Sequence, residues 1–145
     1  MVGARRGVRL GGGRRRWLAA AVVVALAGGC ATATYPGPRR PSDQVAIIEG
    51  RDLYILWIDG MDVRGKRQRF EVLPGDHQLV VKLNYVNDYY VVAVRHTSTP
   101  MGLCVIAQPG HYYGLSANLA GNLWEPVVLD GASHIQVQQC RAEWR

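Results

Sequence analysis

Acidic residues are missing from the start of this chain, where six arginines precede Cys30 and the first aspartate is Asp43. The six arginines account for the formal net charge of +6, because the 11 lysines and arginines that follow are matched by 11 aspartates and glutamates. A protein that neutralises many phosphates needs a surplus of cations. From Cys30 onward there is no surplus, so the composition argues against nucleic acid as a partner.

A hydrophobic run long enough to span a membrane is also missing. The apolar run from Trp17 to Ala27 has 11 residues, whereas a transmembrane helix needs roughly 20. A short apolar run after an arginine-rich start is typical of a cleaved export signal, in which the arginines stay on the cytoplasmic side. We therefore predict a signal peptide over residues 1–29.

Recognisable catalytic and metal-binding motifs are missing as well. No two of the four histidines have the i, i+4 spacing of a helical zinc motif. Neither Ser98 nor Ser116 lies in a Gly-x-Ser-x-Gly sequence, and turn chemistry explains Asp59, Asp62 and Asp76. The sequence predicts a protein that is not an enzyme and has no cofactor or metal. The alternative interpretation is a small secreted periplasmic hydrolase or metal-binding factor.

The most specific motif that is present, Leu26-Ala27-Gly28-Gly29-Cys30, ends the apolar run. It resembles the lipobox of bacterial lipoproteins, in which small residues precede a cysteine that becomes the lipidated N-terminus. The sequence departs from that pattern at Ala27, where the family usually has leucine. The resemblance implies an acyl anchor on Cys30 and a location in the cell envelope, facing the periplasm. The residue after the cysteine is Ala31 and not aspartate, and in this the chain resembles lipoproteins that are sorted to the outer membrane.

Two alternatives for export stay open at this point. Ala31-Thr32-Ala33 is an acceptable site for ordinary signal peptidase, which would release a soluble protein that begins at Thr34. The adjacent arginines Arg14-Arg15-Arg16 are compatible with the twin-arginine route as well as with the general secretory route.

The stretch that follows the cysteine contains three prolines and a glycine among small polar residues, from Thr32 to Gln44. Such a composition cannot propagate a helix or a sheet ladder and favours an extended, solvated chain. We predict a flexible tether over residues 30–44, which would hold a domain at 45–145 away from the membrane.

The remainder of the chain has the alternation of β-strands. His77, Leu79 and Val81 fall on one face and Gln78 and Val80 on the other. The pattern predicts an all-β fold, a single antiparallel β-sandwich of about eight strands, either immunoglobulin- or transthyretin-like or PEGA-like. Strands are predicted near 45–49, 53–58, 67–73, 77–86, 89–97, 102–107, 111–118, 124–129 and 134–139.

Specific turn sequences separate these runs. Asp59-Gly60 and Asp130-Gly131 offer positions of positive φ, while the segments 73–76 and 108–111 carry Pro-Gly at the centre of predicted type II turns. His77 and His111 follow the two Pro-Gly turns, where each is expected to bond a turn carbonyl or to begin a strand.

A family resemblance rests on these turns and strands. Ile58-Asp59-Gly60, then Leu73-Pro74-Gly75-x-His77-x-Leu79, then Cys104-Val105-Ile106-Ala107-x-Pro109-Gly110, look like small bacterial envelope lipoproteins and the PEGA-type β-sandwich module of surface proteins. The match covers about Val45 to Ala117. It implies envelope attachment or binding, with no catalytic residues to transfer.

Two cysteines remain if Cys30 is lipidated. An even number in an oxidising compartment favours a disulfide between Cys104 and Cys140. The alternative is a buried Cys104 that acts as a small hydrophobic residue and a free Cys140 near the C-terminus.

Aromatic residues supply the remaining functional indication. Exposed tyrosines beside asparagine and aspartate can stack on a sugar or anchor a protein, although an edge tyrosine that covers the sheet is the alternative. The predicted contact surface for an envelope protein or a cell-wall glycan consists of Tyr85, Asn87, Asp88, Tyr90 and Tyr112. The second predicted partner is the membrane itself, through the lipidated N-terminus.

Overall fold

The computed structural model describes residues 30–84, 99–120 and 123–142. These ranges contain nine β-strands and no helix. The strands are β1 (Thr32–Ala33), β2 (Ala46–Gly50), β3 (Leu53–Ile58), β4 (Met61–Asp62), β5 (Arg69–Val72), β6 (Gly75–Leu83), β7 (Met101–Ala107), β8 (Tyr112–Ala120) and β9 (Leu123–Asp130). The predicted strands 134–139 and 89–97 are not among them, and the second lies outside the described residues.

Two sheets pack face to face as a β-sandwich, so the predicted fold class is confirmed. Sheet A has the order β1-β5-β2-β8-β9, and sheet B has the order β4-β3-β6-β7. The inner faces bury a continuous apolar core, as period-two alternation requires. Its largest fully buried side chains are Phe70, Ile48, Leu53, Ile55, Ile58, Leu79, Leu103, Leu115, Val63, Val72, Val81 and Val105.

Two strand pairs depart from the antiparallel pattern. β1 pairs in parallel with β5, and β2 pairs in parallel with β8. The chain crosses to sheet B after β2 and returns to sheet A after β4 and again after β7. Sheet A is therefore assembled from strands that are distant in sequence, and their relative direction follows from these crossings.

The predicted turns are confirmed at two of four places, 59–60 and 108–111. Asp59 and Gly60 have φ of 50° and 78° between the paired residues Ile58 and Met61, the two positive values that a type I′ hairpin requires. Gly110 has a φ of 77°, as the second central position of a type II turn requires, whereas Gly75 has a φ of 133° and already begins β6, so the type II turn predicted over 73–76 does not form. In the second Pro-Gly turn, the amide of His111 donates to the carbonyl of Gln108 at 3.2 Å.

The expectation of positive φ at Asp130-Gly131 is wrong. The positive φ in this loop belongs to His134, at 58°. The Asp130 carboxylate instead accepts the backbone N–H groups of Ala132 and Ser133, which closes the turn from the side chain. This bonding also lowers the pKa of Asp130, chiefly through the Ser133 amide.

The segment predicted as a free tether differs from that expectation in its first part. Ala31 and Tyr35 are buried, and β1 between them lies along the edge of β5. The Tyr35 hydroxyl donates to a Glu71 carboxylate oxygen at 3.1 Å. Residues 36–44 are exposed, so the proline-rich part is a surface loop that begins and ends on the domain.

The predicted strand 134–139 is replaced by two isolated bridges. Gln136 pairs with Leu129 of β9, and Gln139 pairs with Val105 of β7. Because β9 and β7 are the edge strands of sheets A and B, this closing segment, residues 136–140, connects the two sheet edges. The disulfide that the cysteine count predicts is present, and Cys104–Cys140 ties the end of the segment to β7.

Candidate functional site: the Cys30 pole and the Tyr112 face

Cys30 is exposed and carries a free thiol directly before the folded domain. The next residue, Ala31, is 5% exposed, and β1 begins at Thr32. No extended spacer separates the cysteine from the sandwich. A lipid attached to Cys30 would therefore hold the edge of sheet A directly at the membrane surface.

The strand registers fix which end of the sandwich carries this cysteine. Thr32 is level with Phe70, Phe70 with Ile48, and Ile48 with Tyr113. Cys30, two residues before Thr32, is thus level with Leu115, which pairs with Gly50. We call this end of the sandwich, with Cys30, Gly50 and Leu115, the Cys30 pole.

Cationic side chains lie at the Cys30 pole. The guanidinium of Arg39 donates to the carbonyl oxygen of Ala31, the residue after the cysteine. Lys66 and Arg67 are exposed on the loop before β5, and the next residue, Gln68, accepts the Gly50 amide at 2.9 Å. The pole can therefore meet anionic lipid headgroups with three cations.

Tyr112 of the predicted contact surface lies half-buried on the outer face of sheet A. Two guanidinium carbons lie near its ring, that of Arg69 at 5.5 Å from the centroid and that of Arg51 at 5.8 Å. These distances allow cation–π attraction. We call Tyr112, Arg51, Arg69 and His134 the Tyr112 face.

Two glycines make room for this arrangement. A Cβ on Gly131 would overlap the ring of Tyr112, and a Cβ on Gly114 would meet the Arg51 guanidinium group. Glycine is thus required at position 131 because the Tyr112 ring lies close to its backbone, and not because its φ is positive. The Gly131 amide also donates to the Tyr112 carbonyl at 2.7 Å.

A hydrogen bond determines the tautomer of the neutral histidine on the Tyr112 face, His134. Arg51 Nη1 lies 2.8 Å from His134 Nδ1. A guanidinium group only donates, so Nδ1 accepts and the ring proton of the neutral form is on Nε2. The Nε of Arg69 is buried without a hydrogen-bond partner, so this guanidinium is held by ring packing on that side.

The other four predicted contact residues, Tyr85, Asn87, Asp88 and Tyr90, lie outside the described residues. Sequence reasoning missed Arg51, Arg69 and His134. The alternation of β5 could have identified Arg69 as outward-facing, since Phe70 and Val72 are buried. No local pattern marks Arg51 or His134, because they are 83 positions apart in the sequence and only the fold brings them together.

The remaining chemistry-bearing side chains serve turns. His77 contacts the Leu73 carbonyl oxygen through Nε2 and an Asp59 carboxylate oxygen through Nδ1, both at 2.6 Å. The expected bond from His77 to a turn carbonyl is therefore confirmed. Asp59 also accepts the Gln78 amide at 2.9 Å.

The Asp62 carboxylate accepts hydrogen bonds from one neighbouring residue, Arg64. Hydrogen bonds from the side chain and the backbone of Arg64 lower the pKa of Asp62 to about 2. The guanidinium of Arg64 also lies 4.6 Å from the ring centroid of Trp57. Within residues 30–84, 99–120 and 123–142, no three histidines, cysteines or carboxylates are grouped as metal ligands.

Comparison with known proteins returns no relative: no family model, no curated protein and no solved structure matches this chain. In the described part of the chain, no helix has the length and apolar character needed to cross a membrane.

Proposed function

We propose that the protein is a non-catalytic lipoprotein of the bacterial cell envelope, anchored through Cys30, whose β-sandwich binds a protein or glycan partner on the periplasmic side, at the outer membrane. The observation that carries the anchor is the position of Cys30, exposed and directly followed by a buried residue and a paired strand. A mature chain that starts at Cys30 keeps the whole of sheet A.

The rival cleavage site is less compatible with this fold. A chain that starts at Thr34 would lose buried Ala31 and both residues of β1, Thr32 and Ala33. The edge of β5 would then expose unpaired backbone groups, which invites association with other strands. Cleavage before Cys30 removes no residue of the sandwich.

Charge at the Cys30 pole supports the same anchor. Arg39, Lys66 and Arg67 lie where a lipidated cysteine would meet phosphate headgroups, and each basic residue near an anionic surface contributes about 1 kcal/mol. Acyl chains contribute far more, about 0.8 kcal/mol for each buried CH₂ group. The cations therefore orient the domain, while the lipid holds it.

The Tyr112 face supports the binding part of the proposal. It combines a tyrosine ring with two planar guanidinium groups, a combination that favours sugar faces and carboxylates. Tyr112 and Arg69 come from strands of sheet A, and Arg51 and His134 come from neighbouring loops, so the scaffold fixes their spacing. The face is on the outside of sheet A, where a partner can reach it while the Cys30 pole meets the membrane.

Intact mass of the membrane-extracted mature protein tests the anchor, with two variants alongside. We expect an N-terminus at Cys30 with acyl chains, and loss of Cys30→Ala from the membrane fraction. Ala33→Arg blocks the rival cleavage, places the new cation opposite Glu71, and should leave processing unchanged. An unmodified N-terminus at Thr34 that Ala33→Arg abolishes would overturn the proposal.

A further inference from the structure

The β8–β9 hairpin extends beyond the rest of sheet A. β2 pairs with β8 only as far as Gly50 and Leu115, whereas β8 and β9 remain paired up to Ala120 and Leu123. Near the end of this arm, Leu123 is 75% exposed and Leu119 is 40% exposed. Two leucines thus lie in solvent on an arm that has lost its neighbouring strand on one side.

This arm points past the Cys30 pole. Leu115 is level with Cys30, and Leu119 follows four residues later along β8. At about 3.3 Å per residue, Leu119 lies at most about 13 Å beyond the cysteine along the strand, and Leu123, which pairs with Ala120, at most about 17 Å, less the effect of sheet twist. β1 and β8 are separated by two strands of sheet A. The end of the arm that carries both leucines therefore lies at the same pole of the sandwich as the cysteine.

We propose that Leu119 and Leu123 form a second membrane contact, inserted into the lipid interface beside the acyl chains of Cys30. This inference rests on the proposed lipid anchor and adds to it a protein-mediated contact that sets the orientation of the domain. Apolar side chains at an interface are typically buried 5–10 Å into the boundary between headgroups and acyl chains. The arm extends beyond Cys30 by more than that depth, so its end can reach it.

Three features of the molecule identify lipid as the occupant of this apolar tip. The exposed Cys30, the residue of the proposed acyl anchor, lies at the same pole, so membrane attachment arrives there. The exposed charges of the Cys30 pole, Arg39, Lys66 and Arg67, complement anionic headgroups. Glu125 is exposed on the arm two residues from Leu123, and its charge limits insertion to the tip.

A fluorescence depth measurement tests this contact on the membrane-extracted full-length mature protein. Leu123→Cys is labelled with a nitrobenzoxadiazole probe and reconstituted into phosphatidylethanolamine–phosphatidylglycerol vesicles, with and without brominated acyl chains. Ile135→Cys is the matched control, because Ile135 is 67% exposed and lies beside Asp130 at the far end of β9. Both substitutions replace exposed side chains and leave the core intact.

We expect a several-fold brighter, blue-shifted emission from the probe at position 123, quenched by brominated lipid, and neither change at position 135. Equal behaviour of the two probes would overturn the tip contact while the acylated Cys30 still supports the anchor. If the probe at position 123 is shielded from water in native membranes but not in vesicles that contain no other protein, the tip binds a protein partner and the lipid contact is overturned. A second label on a reactive Cys30 would instead overturn the proposed anchor itself.

Discussion

At the scale of single residues, close packing explains why glycine stands at positions 114 and 131, which the sequence alone does not. Gly131 looks like a turn glycine in the sequence, yet its φ is not positive, and the ring of Tyr112 occupies the space of a Cβ. Gly114 plays the same part for Arg51. The Tyr112 face therefore depends on two missing side chains as much as on the side chains that form it.

Gly131→Ala tests this packing. Because the new methyl group overlaps the tyrosine ring, we expect the free energy of unfolding to fall by about 1–3 kcal/mol, the usual cost of overpacking. Urea denaturation measures the change. In a Tyr112→Ala background the same substitution should cost much less, and an equal cost in both backgrounds would contradict the assigned contact.

Asp62 provides a prediction for acid pH. Its pKa in the folded protein is about 2, below the ordinary value of 3.8, because Arg64 donates to the carboxylate. A lowered pKa in the folded state stabilises the protein above about pH 4, and this contribution is lost as the pH falls from about 4 to about 2. Both side chains are exposed, so salt weakens the effect.

Carboxyl NMR titration measures the pKa of Asp62 directly. Arg64→Gln should raise this pKa toward 3.8, while Lys66→Gln, which removes only a weaker and more distant charge, should move it less. A pKa of Asp62 that stays near 2 in Arg64→Gln would contradict the assigned cause.

At the scale of elements, the edges of the two sheets are covered by segments that are not full strands. β1 covers β5 with two residues, and the closing segment 136–140 touches β9 and β7 through one bridge each. Short coverings of this kind protect edges that would otherwise pair with other chains. Both depend on a few contacts, which the disulfide reinforces on one side.

Loss of the disulfide should weaken the closing segment. The sequence separation of 36 residues between Cys104 and Cys140 predicts about 3–4 kcal/mol of stabilisation from loop closure. The double variant Cys104→Ser and Cys140→Ser should lose that much free energy of unfolding, measured by urea denaturation against the oxidised parent. Hydrogen exchange should show the largest loss of protection at residues 136–140, and a uniform change would contradict a local role.

At the scale of the whole molecule, the proposed anchor and the proposed binding face lie on different surfaces. The Cys30 pole is one end of the sandwich, and the Tyr112 face is the outer side of sheet A. Membrane attachment and partner binding should therefore be separable by mutation.

Tyr112→Ala tests that separation in cells. We expect membrane fractionation to stay unchanged, while chemical cross-linking to the proposed envelope partner is lost, because the ring that both guanidinium groups pack against is gone. Tyr54→Ala is the matched control, since Tyr54 packs against Lys82 on the outer face of sheet B. Equal cross-linking by Tyr112→Ala and the parent would remove the Tyr112 face from the binding proposal.

Local chemistry alone determined the all-β fold class, most strand positions and two of the four turns, because alternation and positive-φ residues act within a few positions. The cysteine count indicated the disulfide, and the histidine after a Pro-Gly turn indicated its bond to the Leu73 carbonyl.

Only the tertiary structure decided which distant strands became neighbours. It placed β1 against β5, made residues 136–140 a bridge between the sheets, and brought Arg51 and Arg69 to Tyr112 and His134 to Arg51. Each of these outcomes depends on contacts between residues far apart in sequence. A local pattern shows which face of a strand is apolar, but the partner of that strand is chosen by the packing of the whole core.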